Sequence, residues 1–315
     1  MTTPSSDLFT DRWVYVKLYL GRAIDRMDRL LIALAAEPVL TERAQAWFYL
    51  RYVDERGIHV RLRALAREGD DAESLLRVVI DMSADRLAEL HSYPPGDYSP
   101  MVSMPGFEEG LARVTAAHND TNVAEDRYVP ETDKYGARPG MDIAERVFHQ
   151  SSQLAVQVLQ LEERGRLSRK DLVPVLMHDA AEAFIPAADR ATFWAEYSYY
   201  WLNGRSPAAD DWRQTFADKG RELSERGIRL VAPDSQLGPE ARGIVTAWRA
   251  CVKQAAADYA ALGRRADTTA EVLGFNLVHL MNNRLGLAGL EEAYIAALLE
   301  RQAQGVTAGV PAGAL

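Results

Sequence analysis

The sequence predicts an α+β protein, with a small antiparallel sheet near the N-terminus packed against a large helical body. Two observations carry this. Runs rich in β-branched and aromatic residues are confined to the first stretch of chain, at Trp13–Leu20, Ala46–Val53 and Ile58–Leu65. From Met141 onward, apolar residues recur almost without interruption at helical spacing.

Taken in order, WVYVKLYL (Trp13–Leu20) alternates well enough to be a strand. Ile24, Met27, Leu30, Leu31 and Leu34 then recur at helical spacing until Pro38, which cannot continue a helix. AWFYLRYV and IHVRLRAL flank the charged turn Asp54-Glu55-Arg56-Gly57 and read as a β-hairpin. A helix is expected over roughly Asp71–His91, followed by a Pro/Gly-rich loop, Ser92–Gly106, and a second loop region, Asn119–Gly140. The helical pattern that follows breaks near Asn203–Pro207 and Ala232–Pro239. One domain over 1–315 accommodates this: a sheet region of about 12–66, a helical body of about 67–301 and a small-residue tail, 302–315, expected to fray. No internal repeat is present.

Composition narrows the function classes. With 48% hydrophobic and 26% charged residues, the chain is an ordinary globular one. A net charge of −9 lacks the clustered positive charge a phosphate-backbone binder needs, so nucleic acid is not an expected partner. The polar start, Met1–Asp11, carries no signal core, and no apolar stretch reaches membrane-spanning length. Neither membrane association nor export is expected, and a cytoplasmic location follows. One cysteine, Cys251, permits neither an internal disulfide nor a thiolate cluster, and its helical setting suits a small buried hydrophobe. With no metal-ligand spacing and no dinucleotide or phosphate loop, no metal and no cofactor are expected.

Three constellations could carry chemistry. In the second hairpin strand the period of two puts His59, Arg61 and Arg63 on one face and Ile58, Val60, Leu62 and Ala64 on the other. Clustered cations call for an anion opposite, or else lie on a solvated outer face. Near the C-terminus, Thr268-Thr269-Ala270-Glu271 has capping-box spacing, and the helix after it carries Asn276, His279 and Asn283 as one polar stripe, with Arg284 next. Buried amides and an imidazole need partners, so the stripe is either a site or a satisfied structural network. The third is the loop Tyr128-Val129-Pro130-Glu131-Thr132-Asp133-Lys134-Tyr135, where a carboxylate, an ammonium and two phenols sit together.

In this order, WVYVKLYL, WFYLRYVDERGIHVRLR, RYVPETDKYG, MDIAERVFHQSS and LVHLMNNRLG resemble the lantibiotic dehydratase C-terminal domain and its free-standing relatives, the thiopeptide-type bacteriocin biosynthesis proteins. The resemblance runs from about Trp13 to Leu287. It implies action on a leader-bearing precursor peptide, recognised through the N-terminal sheet region, with other enzymes of the same pathway as further partners. Two activities are implied. One removes glutamate from a glutamylated Ser or Thr. The other is pyridine synthesis, a formal [4+2] cycloaddition of two dehydroalanines with loss of water and of the leader. A non-catalytic, leader-binding scaffold is a third reading.

The resemblance also implies site residues. Arg61 and Arg63 match the family's paired arginines, Glu131 its loop glutamate, and His279 its late histidine, a candidate acid or base. With Tyr128 and Tyr135 these form the expected catalytic set. His59, Lys134, Ser152, Asn276, Asn283 and Arg284 are expected to contact substrate. Two departures favour the pyridine synthase. Lys134 stands where the family usually has Arg, which loses bidentate grip on a carboxylate, and Ser151-Ser152 replaces the usual Asp-Ser.

Overall fold

The sheet is assembled from both ends of the N-terminal region. β1 (Trp13–Leu20), β2 (Ala44–Asp54), β3 (Gly57–Ala66) and β4 (Thr121–Asp126) form a four-stranded antiparallel sheet in the order β2-β3-β1-β4. The computed structural model describes residues 12–96, 98–102, 121–204 and 208–308, with 306–308 described by backbone alone. The hairpin forms where the charged turn predicts it: Asp54 pairs with Gly57, Asp54 Oδ1 accepts the Arg56 N–H at 2.9 Å, and Gly57 takes a positive φ of 114°.

Three expectations need correction. Residues 121–126, within the anticipated loop Asn119–Gly140, form edge strand β4. The run TNVAED has few apolar residues because an edge strand pairs on one side only, and it is held in part by an ion pair between Asp126 and Lys17 of β1 at 2.8 Å. The N-cap of the late helix is Thr269, which accepts from Val272 N, one residue beyond the anticipated box. Thr268 instead donates to the Lys134 carbonyl. The C-terminal helix continues through Ala308, where fraying from 302 was expected. Met1–Asp11, Asp97, parts of the two anticipated loops (103–106, 119–120), the break at 205–207 and the tail at 309–315 lie outside the described residues.

Besides a single helical turn at Thr132–Tyr135 within the anticipated loop, the longer α-helices among the described residues are α1 (Met27–Ala35), α2 (Ala72–Ala88), α3 (Arg138–Glu163), α4 (Arg169–Phe184), α5 (Arg190–Trp201), α6 (Ala208–Glu225), α7 (Pro239–Leu262), α8 (Ala270–Leu285) and α9 (Gly289–Ala308). Asp71 caps α2 by accepting from the N–H groups of Glu73 and Ser74, and this helix packs on β1 and β4. It covers the sheet face built from Val14, Val16, Leu18, Val60, Leu62 and Ala64, all buried as the period of two requires. Cys251 is buried as anticipated, and burial pushes its thiol up to about 12.

The outer edge of β2 is closed by side chains rather than by another strand. Ser152 Oγ accepts the Tyr49 N–H at 3.2 Å, and His149 Nδ1 lies 3.1 Å from the Trp47 N–H. Asn283 accepts from Arg51 N and donates to Arg51 O, both at 2.9 Å. Residues 47, 49 and 51 are the alternate positions whose backbone groups an edge strand leaves open. α3 and α8 are thereby locked alongside the sheet, which brings the second sheet face against α3.

Candidate functional site

The second sheet face carries the arginines. Register places Tyr15 of β1 and Phe48 of β2 opposite Arg63, so an aromatic ring flanks the guanidinium on either side. The Arg63 guanidinium carbon lies 4.3 Å from the Tyr15 ring centre, 5.3 Å from Phe48 and 5.1 Å from Tyr128, which closes the slot from above. This is not the solvated face the sequence left open: Arg63 is only 8% exposed and His59 is fully buried.

A second guanidinium enters from α8. Arg284 is fully buried, with its carbon 5.5 Å from the Phe148 ring of α3, and Phe148 packs at a tilt against Phe48 at 5.3 Å. Its Nε donates to Ser152 Oγ and its Nη1 to the Leu280 carbonyl, each at 2.9 Å. Arg63 and Arg284 thus flank one Phe48–Phe148 pair. Tyr135, edge-on to Phe148 at 4.9 Å, forms a further wall.

Neither guanidinium has an ion-pair partner among the described residues, and each keeps a buried donor without a hydrogen bond, Arg63 Nε and Arg284 Nη2. Burial depresses both arginines, Arg284 to about 10, and each also repels a neighbouring arginine, Arg61 for Arg63 and Arg63 for Arg284. Both stay charged at neutral pH. Buried charge with an unused N–H is costly and is ordinarily avoided, which makes the two arginines a candidate cradle for ligand oxygens. The nearest carboxylates are engaged elsewhere. Glu131 pairs with Lys134 at 2.8 Å, and Glu145 of α3 accepts from Tyr128 Oη at 3.1 Å.

The other anticipated residues separate into groups. Arg61 lies at the open end of the face, its guanidinium 3.3 Å over the Tyr52 ring, and donates to His59 Nε2 at 3.4 Å. His59 Nδ1–H then faces the Gly57 carbonyl at 3.1 Å, and burial holds the imidazole below its usual pKa and neutral. The structure does not bring His279 to the cradle. It lies five residues before Arg284, on another side of α8, with Nδ1 3.0 Å from the buried Glu292 of α9 and its ring 4.5 Å from Trp201 of α5. Tyr197 and Asn282 complete the shell of Glu292. Asn276 donates to its own helix carbonyl at Val272, and Asn283 clamps β2, so the polar stripe of α8 serves three neighbours rather than one site. Ser152 orients Arg284, whereas Ser151 bonds back to Val147 and Phe148. Glu145 and Tyr15 were not singled out by sequence reasoning. The period-two register supplied a signal for Tyr15, but nothing local marks Glu145.

A separate cleft of about 370 Å³ is lined by His178, Asp179, Glu182, Arg249 and Lys253. The ligand atoms of its first three residues lie within 4.8 Å of one another. Arg249, however, bonds Asp179 at 3.1 Å and Asp234 at 2.8 Å, so a guanidinium holds the place a metal ion would need. No described helix is long and apolar enough to cross a membrane.

Residues 13–303 match the family model described as lantibiotic biosynthesis dehydratase C-term. The chain belongs to this family. Solved structures share the fold. One is titled as the pyridine synthase TbtD from thiomuracin biosynthesis, with TM-score 0.64, 19% identity, 95% of this chain and 100% of that one covered. Another is the tRNA-dependent lantibiotic dehydratase MibB from Microbispora sp. 107891, with TM-score 0.61, 19% identity, 98% of this chain and 29% of that one covered. A third, TsrL, matches at TM-score 0.54 and 17% identity over 95% of this chain and 96% of that one. The chain therefore spans under a third of the dehydratase. No curated protein matches the sequence significantly. Of the residues that the resemblance implies, Arg63 lies with Arg284 in the candidate cradle and His279 stands apart from it.

Proposed function

We propose that this member of the family is a pyridine synthase, joining two dehydroalanines of a leader-bearing peptide by formal [4+2] cycloaddition and then expelling water and the leader. The observation that carries the reading is the cradle. Two buried guanidiniums with unused N–H donors sit among the rings of Phe48, Phe148, Tyr15, Tyr128 and Tyr135. Aromatic walls suit flat, uncharged alkenes and azoles, and the guanidiniums offer donors to amide oxygens, favouring the iminol form of one of them. Fixing both alkenes as near-attack partners is worth about 7–11 kcal/mol of barrier, without any bond to the protein. Arg61 extends the cationic face toward solvent, and Tyr128 and Glu131 are the proton-handling groups beside Arg63. Lys134, neutralised by Glu131 at the surface, does not add a third cation to the cradle.

One observation favours a second reading. A doubly cationic cradle without a carboxylate also suits a departing glutamate, as in elimination from a glutamylated Ser or Thr. Mass spectrometry of the protein with two leader-bearing peptides separates the two. A peptide carrying dehydroalanines and azoles should give the pyridine macrocycle and free leader. If it stays unchanged while a glutamylated peptide loses glutamate, the eliminase reading replaces the first.

A further inference from the structure

Glu145 is bonded to Tyr128, the phenol whose ring faces Arg63, and sits on a buried helix face that ought to carry an apolar residue. It is 8% exposed, and among the described residues no cation lies within ion-pair distance of its carboxylate. The groups facing it are Tyr128 from the segment after β4, the Trp13 indole from β1, and Arg138 and Asp142 from its own helix, the last two paired with each other at 3.0 Å. Tyr128 Oη donates to Glu145 Oε1 at 3.1 Å. With its proton committed to Glu145, the phenol turns its oxygen lone pairs outward as an acceptor, and its ring touches the Arg63 guanidinium. Carboxylate, phenol and guanidinium are therefore in successive contact, with Tyr128 between the other two.

We infer that Glu145 is the proton acceptor of the reaction, working through Tyr128 as the group that touches substrate. This rests on the cradle being where the substrate binds, and it holds for either reaction considered above. In cyclisation, the amide N–H proton passes to Tyr128 Oη as the phenol proton passes to Glu145. The N–H electron pair forms the C=N bond and the carbonyl π pair moves to oxygen, giving the imidate anion of the iminol, whose charge the arginines hold. In elimination, the Cα–H pair forms the alkene as the C–O bond to glutamate breaks, and the glutamate carboxylate departs. In both, one proton moves from substrate to Glu145 and nothing is oxidised. Burial, partly offset by Arg138 and the two hydrogen bonds, holds the Glu145 carboxyl above the usual glutamate range, which makes it a stronger base than an exposed carboxylate. Burial and the Glu145 charge hold the Tyr128 phenol well above its usual range, with Arg63 opposing them, so the phenol relays the proton without being left as a phenolate.

Glu145→Gln keeps an oxygen to accept from Tyr128 and Trp13 but cannot take a proton, so a purely structural role would survive it. With whichever of the two peptides the wild-type protein converts, kcat for Glu145→Gln should fall about 10²–10⁴-fold with KM within a few-fold of wild type. Tyr128→Phe should match it. The wild-type rate should rise with pH through an ionisation above the ordinary glutamate range, and this limb should vanish in Glu145→Gln. Wild-type-like kcat in Glu145→Gln, or an unchanged acid limb, overturns the role of Glu145 and leaves the cradle standing. Failure of the wild-type protein to convert either peptide overturns both.

Discussion

Two pairs of arginines, all buried but the half-buried Arg51, lie around the end of α8 and are treated in opposite ways. Arg51 and Arg169 form a satisfied knot. Arg51 bonds Asp28 at 2.6 Å and the Arg284 carbonyl at 3.0 Å, and Arg169 bonds Asp28 and the Leu285 carbonyl at 2.5 Å, and also Glu162. Among the described residues, no carboxylate lies within ion-pair distance of Arg63 or Arg284, and each keeps an unused N–H. Arg284 belongs to both sites, its carbonyl closing the knot and its side chain entering the cradle. Gly286 makes the close approach of Arg51 possible, since a Cβ there would come within 2.9 Å of the guanidinium and φ is +84°. The difference teaches how to tell a structural charge from a functional one. A residue kept for the fold finds its counter-charge within the fold, whereas one kept for a ligand leaves donors open.

The comparison can be broken most strongly at the cradle. Arg63→Met should lower turnover of the dehydrated peptide about 10²–10³-fold, the scale for losing a donor to a developing oxyanion, with unfolding unaffected. At the knot the effect should fall on stability. Asp28→Asn strands two guanidiniums and should cost about 3–5 kcal/mol, read as a lower denaturant midpoint at unchanged m-value.

The same carboxylate sharpens the contrast with pH. Burial would raise Asp28, but Arg51 and Arg169 outweigh it and hold the carboxyl at about 2. A depressed carboxylate stabilises the fold above its unfolded pKa, and that stabilisation is lost as pH falls from about 4 toward 2. Unfolding followed across that window should lose about 2 kcal/mol in the wild-type protein, and the loss should be smaller in Asp28→Asn. The smallest effect should come from the surface. Lys134→Ala breaks a half-exposed pair with Glu131 and should change stability by less than about 1 kcal/mol, measured by the same titration.

Much of this was legible in the sequence because it depends on local periodicity. Three of four strands, the hairpin turn and the one-faced column of His59, Arg61 and Arg63 follow from a period of two. What sits over a face is not a local property. That Arg63 is buried rather than solvated depends on Tyr128 and Phe148, and the polar stripe of α8 splits because α9, α5 and β2 approach it from different sides. Glu145 was invisible because its partner lies 17 residues earlier, beyond the bend at Gly136. The strand β4 was hidden by its polarity, since its hold on the sheet is partly ionic.

The most direct test is the thermal midpoint of Arg284→Met measured beside Asp28→Asn. If the cradle arginine is held at the expense of stability, replacing it with an apolar side chain of similar length should leave Tm unchanged or raise it, while Asp28→Asn lowers it by many degrees. If Arg284→Met falls as far as Asp28→Asn, Arg284 is a structural residue like those of the knot, and the cradle is not a site.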